Sequence, residues 1–372
     1  MRKYIVKLTP TGRFFFGGDM TFTIGKKDKR KGDKDQKETV YHEHNDKFSS
    51  YIITSMKFPQ QTSLLGMMRF LLLSDSDNKA FDNKTQKISD SKKAIELIGK
   101  KSFSVNDGNS ENIFGKIKNI GACFLCKDNK YYYQAPFDYN LKIGALEEDV
   151  TAKLNGKPIN IPEITISEKE FRSKDGIEKC YVASDGDTLK DDAIFIKDSR
   201  IGIRKGTNGK TEDEAFYKQI AYRLNNGFCF AFNAEVADDI ILTKYNKQLV
   251  SVGADGSMFI IEIEEGSIDV NLPELYTKRT SASLGKVNIL SDAYIPETDL
   301  IKYAISETKS FRFLNTTVET ENYNIMHNFN NRSKHYSLYA AGSVFFVNDV
   351  EKFKEIIKGK KEFVQIGYNY CK

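Results

Sequence analysis

The chain has 372 residues, 40% of them hydrophobic and 29% charged, and its 56 basic against 51 acidic side chains leave a net charge of +5. That length holds one large or two ordinary domains, and so weak a basic excess permits a polyanionic partner without demanding one. No apolar run reaches the roughly 18–20 residues that cross a bilayer, the N-terminus has a strand pattern rather than a signal peptide, and five cysteines do not make a secreted disulfide framework, so a reducing, cytoplasmic setting with no membrane partner is expected.

RKYIVKLTP (2–10) sets Tyr4, Val6 and Leu8 against Lys3 and Lys7, the alternation of a half-buried strand. TGRFFFGGDMTF follows as a glycine-rich aromatic connection. Residues 25–47 are almost wholly charged or polar and read as a long solvated loop; His42 and His44, two apart, can bind a metal weakly, but a solvated loop is the expected reading there too. In KFPQQTSLLGMMRFLLL (57–73), Leu64, Leu65, Met68, Leu71 and Leu72 fall on one helical face. Pro59 sets an abrupt start, and Thr62 or Ser63 can cap it. The first-turn amides, with Gln60 and Gln61, form a seat for a phosphate. Arg69 stands off the apolar stripe, and Gly66 permits close approach of another backbone.

A second polar insertion (74–93) precedes a short helix around Ala94–Leu97, and GACFLCKDNKYYYQAPFD (121–138) reads as a hairpin turning at KDN. Cys123 and Cys126 form a single C-x-x-C, half of a structural zinc set. On a strand, residues three apart point to opposite faces, so a packing role is expected. RIGIRKGTNGK (200–210) is a strand with a basic, glycine-containing tip, too short for a phosphate-binding P-loop. TEDE (211–214) matches a capping box, and Phe216, Ile220 and Leu224 follow at helical spacing, so a helix is expected there. FCFAFNAEV then alternates as a strand. Near the C-terminus, AAGSVFFV reads as a strand, DVEKFKEIIK as a helix capped at Asp349 and ended at Gly359, and EFVQIGYNY as a closing strand. Strand–helix–strand at both ends predicts an α+β chain of two sandwiches, each with helices on one face of an antiparallel sheet.

Taken in order, TGRFFFGGDMTF, FPQQTSLLGMMRFLLL, RIGIRKG…TEDEAFYK…FCFAF, LSDAYI (290–295), AAGSVFFV and the terminal IGYNY resemble the RAMP (repeat-associated mysterious protein) superfamily of CRISPR effector subunits. More narrowly they are similar to the family of the third subunit of the type III-B, or Cmr, complex, over residues 2–370. The resemblance implies two ferredoxin-like (RRM-like) domains, here 1–199 and 200–372, with polar insertions and a β-hairpin thumb at 200–210. It implies a non-catalytic protein without a cofactor that binds the crRNA 5′ handle. Its protein partners would be the large polymerase-like subunit and a neighbouring backbone subunit, with target RNA met only indirectly.

The resemblance assigns RNA contact to four groups. They are Gln60, Gln61, Thr62 and Arg69 at the helix start; Arg200, Arg204, Lys205 and Lys210 on the thumb; Lys278 and Arg279 in YTKRTSASLGK; and Arg332, Lys334 and His335 with Gly342 and Ser343 in the position of a glycine-rich loop. The sequence lacks the aromatic signature of ordinary RRM sheets, so loops and helix termini would carry the contacts. Two rival readings are a standalone crRNA endoribonuclease using His335 as base and a protein scaffold that touches no RNA.

Overall fold

The structure, a computed structural model, describes residues 1–17, 20–24, 50–105, 111–139, 142–143, 150–154, 157–161, 164–165, 179–205, 211–272, 284–318 and 332–372. Its frame is a nine-stranded antiparallel sheet. Across the sheet run Thr188–Lys190, Cys180–Ala183, Lys130–Gln134, Phe124–Lys127, Phe228–Val236, Arg2–Pro10, Met258–Glu265 and Leu249–Ser251; Ile117–Ile120 lies beside the second half of Phe228–Val236. The alternation in Arg2–Pro10 decides which face is covered: Tyr4, Val6 and Leu8 enter the main core, while Lys3 and Lys7 pair with Glu235 and Glu264 on the other side. The expected hairpin at 121–138 forms, with Asp128 and Asn129 both at positive φ, as a two-residue turn between twisted strands requires.

Helix α1 (Gln61–Leu73) and helix α2 (Ser91–Ile98) lie against the covered face. Buried side chains extend almost all the way round α1, and only Gly66 and Phe70 are exposed on it. Asp90 caps α2 through the amide of Lys93, as a short acceptor at an N-cap should.

A second, four-stranded sheet runs Phe195–Lys205, Thr211–Leu224, Ser50–Thr54, Met20–Ile24. Its first two strands form a long antiparallel hairpin, and Thr211–Leu224 also pairs in parallel with Ser50–Thr54. The helix expected after TEDE is therefore a strand. Phe216, Ile220 and Leu224 are four apart, and that spacing keeps side chains on one side of a strand as well as of a helix. Hydrogen bonding to two neighbours outweighs the roughly 1 kcal/mol that a cap contributes. Within the hairpin the ring of Tyr217 lies so close over Gly202 that a Cβ there would fall 1.9 Å from it.

At the C-terminal end, Gly285–Asn288, Val344–Val347 and Ile301–Ile305 form a three-stranded sheet backed by the helix Val350–Lys358, capped at Asp349 as expected. A two-stranded ribbon, Thr308–Phe311 with Tyr336–Tyr339, links this unit to the rest. The expected closing strand at EFVQIGYNY is a helical turn, Lys361–Val364, followed by an irregular tail that bridges only at Cys371 to Ile289. Gln365 pins it, accepting from the Ile120 amide at 2.9 Å and donating to the carbonyls of Asn112 and Lys118.

A division at 199/200 does not follow the packing. It cuts the strand Phe195–Lys205, and the nine-stranded sheet takes strands from both sides of it. One core also runs through the join: Phe311, Phe313, Phe363 and Tyr368 belong to the same buried cluster as Tyr4, Leu64 and Phe230. Among the described residues no helix is long and apolar enough to cross a membrane.

Candidate nucleic-acid interface

A groove of about 1200 Å³ runs between the exposed flank of α1 and the ribbon that carries Thr308–Phe311. One wall offers Gln60, Thr62, Ser63, Gly66 and Phe70; the other offers Lys309, Ser310, Arg312, Arg332 and His335; the edge strand Leu249–Ser251 closes one side. Among the described residues that line it, Arg69, Lys309, Arg312 and Arg332 are basic and none is an aspartate or glutamate. In a chain with nearly equal numbers of acids and bases this is a sorted surface, and a concave wall of one sign attracts polyanions. Uncharged amides, hydroxyls and aromatic edges fill the rest, the mixture that backbone-and-base contact to single-stranded RNA uses.

Five of the residues expected to touch RNA meet here: Gln60, Thr62, Arg69, Arg332 and His335. Not all of them play the expected part. Arg69 is turned inward, 6% exposed, and its Nε donates to the carbonyl of Ile98 at 3.0 Å at the C-terminal end of α2. A guanidinium there satisfies carbonyls that the helix leaves open and complements the negative end of its dipole. Arg69 therefore locks α2 to α1, and the reading that it faces a phosphate chain is corrected.

The phosphate seat at the start of α1 is corrected too. The amides of Gln61 and Thr62 lie against the hydroxyl of Tyr368, a buried residue; burial pushes this hydroxyl up and those N–H groups pull the other way. Gln61 itself is buried, its Nε2 donating to the carbonyl of Gly121 at 3.0 Å. The C-terminal tail returns to this point: Gly367, at φ +87°, is packed so tightly that a Cβ would lie 2.2 Å from Gln61 Nε2.

Gly342 and Ser343 are likewise interior. Gly342 has φ +91°, and a Cβ on it would come within 2.6 Å of the Phe137 ring and 2.9 Å of the Ala135 carbonyl. Its own carbonyl accepts from the Phe137 amide at 2.8 Å. The small residue permits close approach of backbone, as expected of a glycine, but the backbone is the protein's own. Ser343 is fully buried, and its hydroxyl has no partner among the described residues.

Lys334 and His335 are exposed. Lys334 Nζ sits 5.4 Å above the Tyr336 ring, and His335 Nδ1 is 3.1 Å from Ser310 Oγ. Arg200 is exposed on the long hairpin beside Asp198, away from the groove. Arg204 and Lys205 lie on the strand, where backbone alone is described, and Lys210, Lys278 and Arg279 lie outside the described residues, as do His42 and His44. The sequence reading missed Lys309 and Arg312. The segment KSFRF (309–313) alternates basic and aromatic residues, and that interleaving was the available signal.

A side cavity of about 280 Å³ adjoins the groove, sharing Met56, Gln60 and Lys309 with it. Phe58, Tyr181, Tyr222 and Tyr368 are in its wall, as is Gln61, whose Oε1 has no hydrogen-bond partner among the described residues. Lys57 stands at its edge, paired with Asp191 and 5.5 Å from the centre of the Tyr222 ring. Lys309 is held by Asp292 at 2.8 Å, so part of its charge is already compensated.

The model of the CRISPR-associated protein family Cas_Cmr3 matches residues 45–371. No curated protein matches the chain. Among solved structures, a chain of the type III-B Cmr-beta complex bound to cognate target RNA and AMPPnP is similar at 13% identity and TM-score 0.48, covering 100% of this chain and 96% of that one. The same complex with target RNA alone is similar at 12% identity and TM-score 0.48, with the same coverage. A chain of the Csm3–Csm4 subcomplex of the type III-A interference complex is similar at 16% identity and TM-score 0.33, over 93% and 94% of the two chains. The match to the family model takes in α1, α2 and both walls of the groove, and on it the chain belongs to the CRISPR-associated Cmr3 family, subunits of the type III-B Cmr effector complex.

Proposed function

We propose that this chain is a non-catalytic RNA-holding subunit that seats the crRNA 5′ handle in the groove between α1 and the ribbon Thr308–Phe311. The observation that carries this reading is the ribbon wall's three basic side chains, Lys309, Arg312 and Arg332, in a groove with no carboxylate among the described residues that line it. On this reading Arg312, Arg332 and Lys309 meet phosphates and position the strand, while a splayed handle base enters the aromatic side cavity, where Gln61 Oε1 can accept from it. Base stacking on such walls is worth about 1–3 kcal/mol per base. The nine-stranded sheet with α1 and α2, and the three-stranded sheet with its helix, serve as the two ferredoxin-like modules of a RAMP protein. The long hairpin, whose Ile201 is 71% exposed and Ile203 46% exposed, is the thumb. Surfaces away from the groove bridge to the large signalling subunit and to the neighbouring backbone subunit.

The test is assembly of the effector complex with Arg312→Ala/Arg332→Ala in this chain. crRNA should co-purify less at every salt concentration, and the salt slope of its retention should be shallower than in the parent complex at equal protein recovery. Unchanged retention overturns the groove as the grip. Cleavage of repeat RNA by the purified chain, lost in His335→Ala, would replace the holding role with an endonuclease.

A further inference from the structure

The strands Phe124–Lys127 and Phe228–Val236 pair so that Cys126 stands directly opposite Cys229. Directly opposed residues of antiparallel strands have Cα atoms about 4.5 or 5.5 Å apart, and both values fall in the range of about 4.4–6.8 Å that a disulfide spans. The cysteines are free, Cys126 buried and Cys229 partly exposed. They lie on the sheet face away from α1, in a small cluster with Ile5, Ala231 and Ile268. Lys7 reaches this site, donating to Asn129 Oδ1 at 2.8 Å and pairing with Glu264 at 2.9 Å. The C-x-x-C of the sequence is thus not the pair that meets: Cys123 is in contact with the other core, and Cys126 finds its partner across the sheet.

We propose that Cys126 and Cys229 are a peroxide-oxidisable dithiol that closes to a cross-strand disulfide, with Cys126 as the attacking sulfur. The Cys229 thiol opposite, with the Lys7 ammonium and the Asn129 amide, holds Cys126 below the ordinary thiol range against the effect of burial. The nearness of Cys126, with burial, pushes Cys229 up. A thiolate beside a neutral thiol is the arrangement in which one sulfur attacks and the other resolves. The Cys126 thiolate attacks one oxygen of hydrogen peroxide, the O–O bond breaks, and hydroxide leaves and takes a proton to become water. The Cys229 sulfur then attacks the sulfenic sulfur of Cys126. The S–S bond forms, the S–O bond breaks, and the second hydroxide leaves with the Cys229 proton. Two thiols lose two electrons and two protons, and one peroxide becomes two waters. The product ties the hairpin to the central strand of the sheet.

The full-length reduced protein is treated with hydrogen peroxide, then with iodoacetamide under denaturing conditions, and peptide-mapped without reduction. The expected result is loss of alkylation at Cys126 and Cys229 alone, with one crosslinked peptide pair that is lighter by two hydrogens and is restored by dithiothreitol. Cys229→Ser should instead give a sulfenic acid at Cys126 that dimedone traps, while Cys123→Ser should still close the bond. The proposal is overturned if both thiols remain alkylatable at peroxide concentrations that oxidise an exposed low-pKa thiol, or if Cys126 pairs with Cys123. Mapping of the unsubstituted protein decides the matter even where a variant does not fold.

Discussion

The two walls of the groove carry similar residues and use them in opposite ways. On the α1 wall the polar groups are consumed inside: Arg69 closes the end of α2, Gln61 holds Gly121, and the first-turn amides face Tyr368. On the ribbon wall the polar groups stay near the surface. His335 and Arg332 are exposed there, and Arg312 uses its Nε to bind the Ser333 carbonyl at 3.0 Å at the groove's edge. The difference follows from what lies behind each wall. α1 is packed nearly all round, so a charged side chain on it must find a partner or unfold the packing, whereas a two-stranded ribbon has an open face. One wall is scaffold and the other is contact surface, and substitutions should separate them.

The sharpest separation comes from Gly342→Ala, behind the ribbon. The Cβ would meet the Phe137 ring and the Ala135 carbonyl at a positive φ. A loss of about 3–5 kcal/mol in denaturant unfolding is expected, with RNA lost only because folded protein is lost. Next is Arg69→Met, which keeps volume and removes the guanidinium. It should cost about 2–4 kcal/mol because the α2 carbonyls stay buried without their donor; at matched folded protein, crRNA retention should be near normal. Arg332→Ala on the opposite wall should do the reverse. Its stability change should stay within about 0.5 kcal/mol, and the salt slope of RNA binding should flatten by about 0.7 for one lost phosphate contact. If Arg69→Met flattens the salt slope and Arg332→Ala does not, the assignment of the walls is inverted.

Gly66→Ala sharpens the comparison further. A Cβ at Gly66 meets nothing within 4 Å, so the free protein should gain about 0.5–1 kcal/mol from helix propensity. A simultaneous fall in RNA affinity would place the strand against that spot. The smallest expected effect is Glu362→Gln. Glu362 is buried, its carboxylate oxygens have no partner among the described residues, and burial raises its pKa. A raised carboxyl favours the fold below its unfolded pKa and loses that contribution as pH rises through the folded value. The variant's Tm should therefore pull ahead of the parent's between pH 4 and pH 8, and a constant difference across that range would exclude ionisation as its origin.

Local pattern was enough wherever neighbours in sequence do the work. The alternation of Arg2–Pro10, the turn at Asp128-Asn129, the Asp349 cap and the apolar face of α1 all appear as read. The reading failed where long-range pairing chose between equals. Phe216, Ile220 and Leu224 fit a helix or a strand, and the partners at Ser50–Thr54 and Phe195–Lys205 selected the strand. The tail at 361–370 has strand composition, yet Gln365 and Gly367 hold it against α1 and Gly121.

The candidate site divides in the same way. Composition and order of segments were sufficient for the family, since Cas_Cmr3 matches residues 45–371; that Gln60, Thr62, Arg332 and His335, from two separate stretches, line one groove was for the fold to decide. Which cations face outward was not legible, because a side chain's direction depends on what stands behind its backbone, and the partners of Arg69, Lys309 and Arg312 lie 29, 17 and 21 residues away, on other elements. The sequence by itself determined the kinds of group available and the local elements that bear them. The tertiary structure alone decided that Arg69, Gln61 and Gly342 serve the interior while Lys309 and Arg312 join the groove, because only packing fixes which polar groups already have partners.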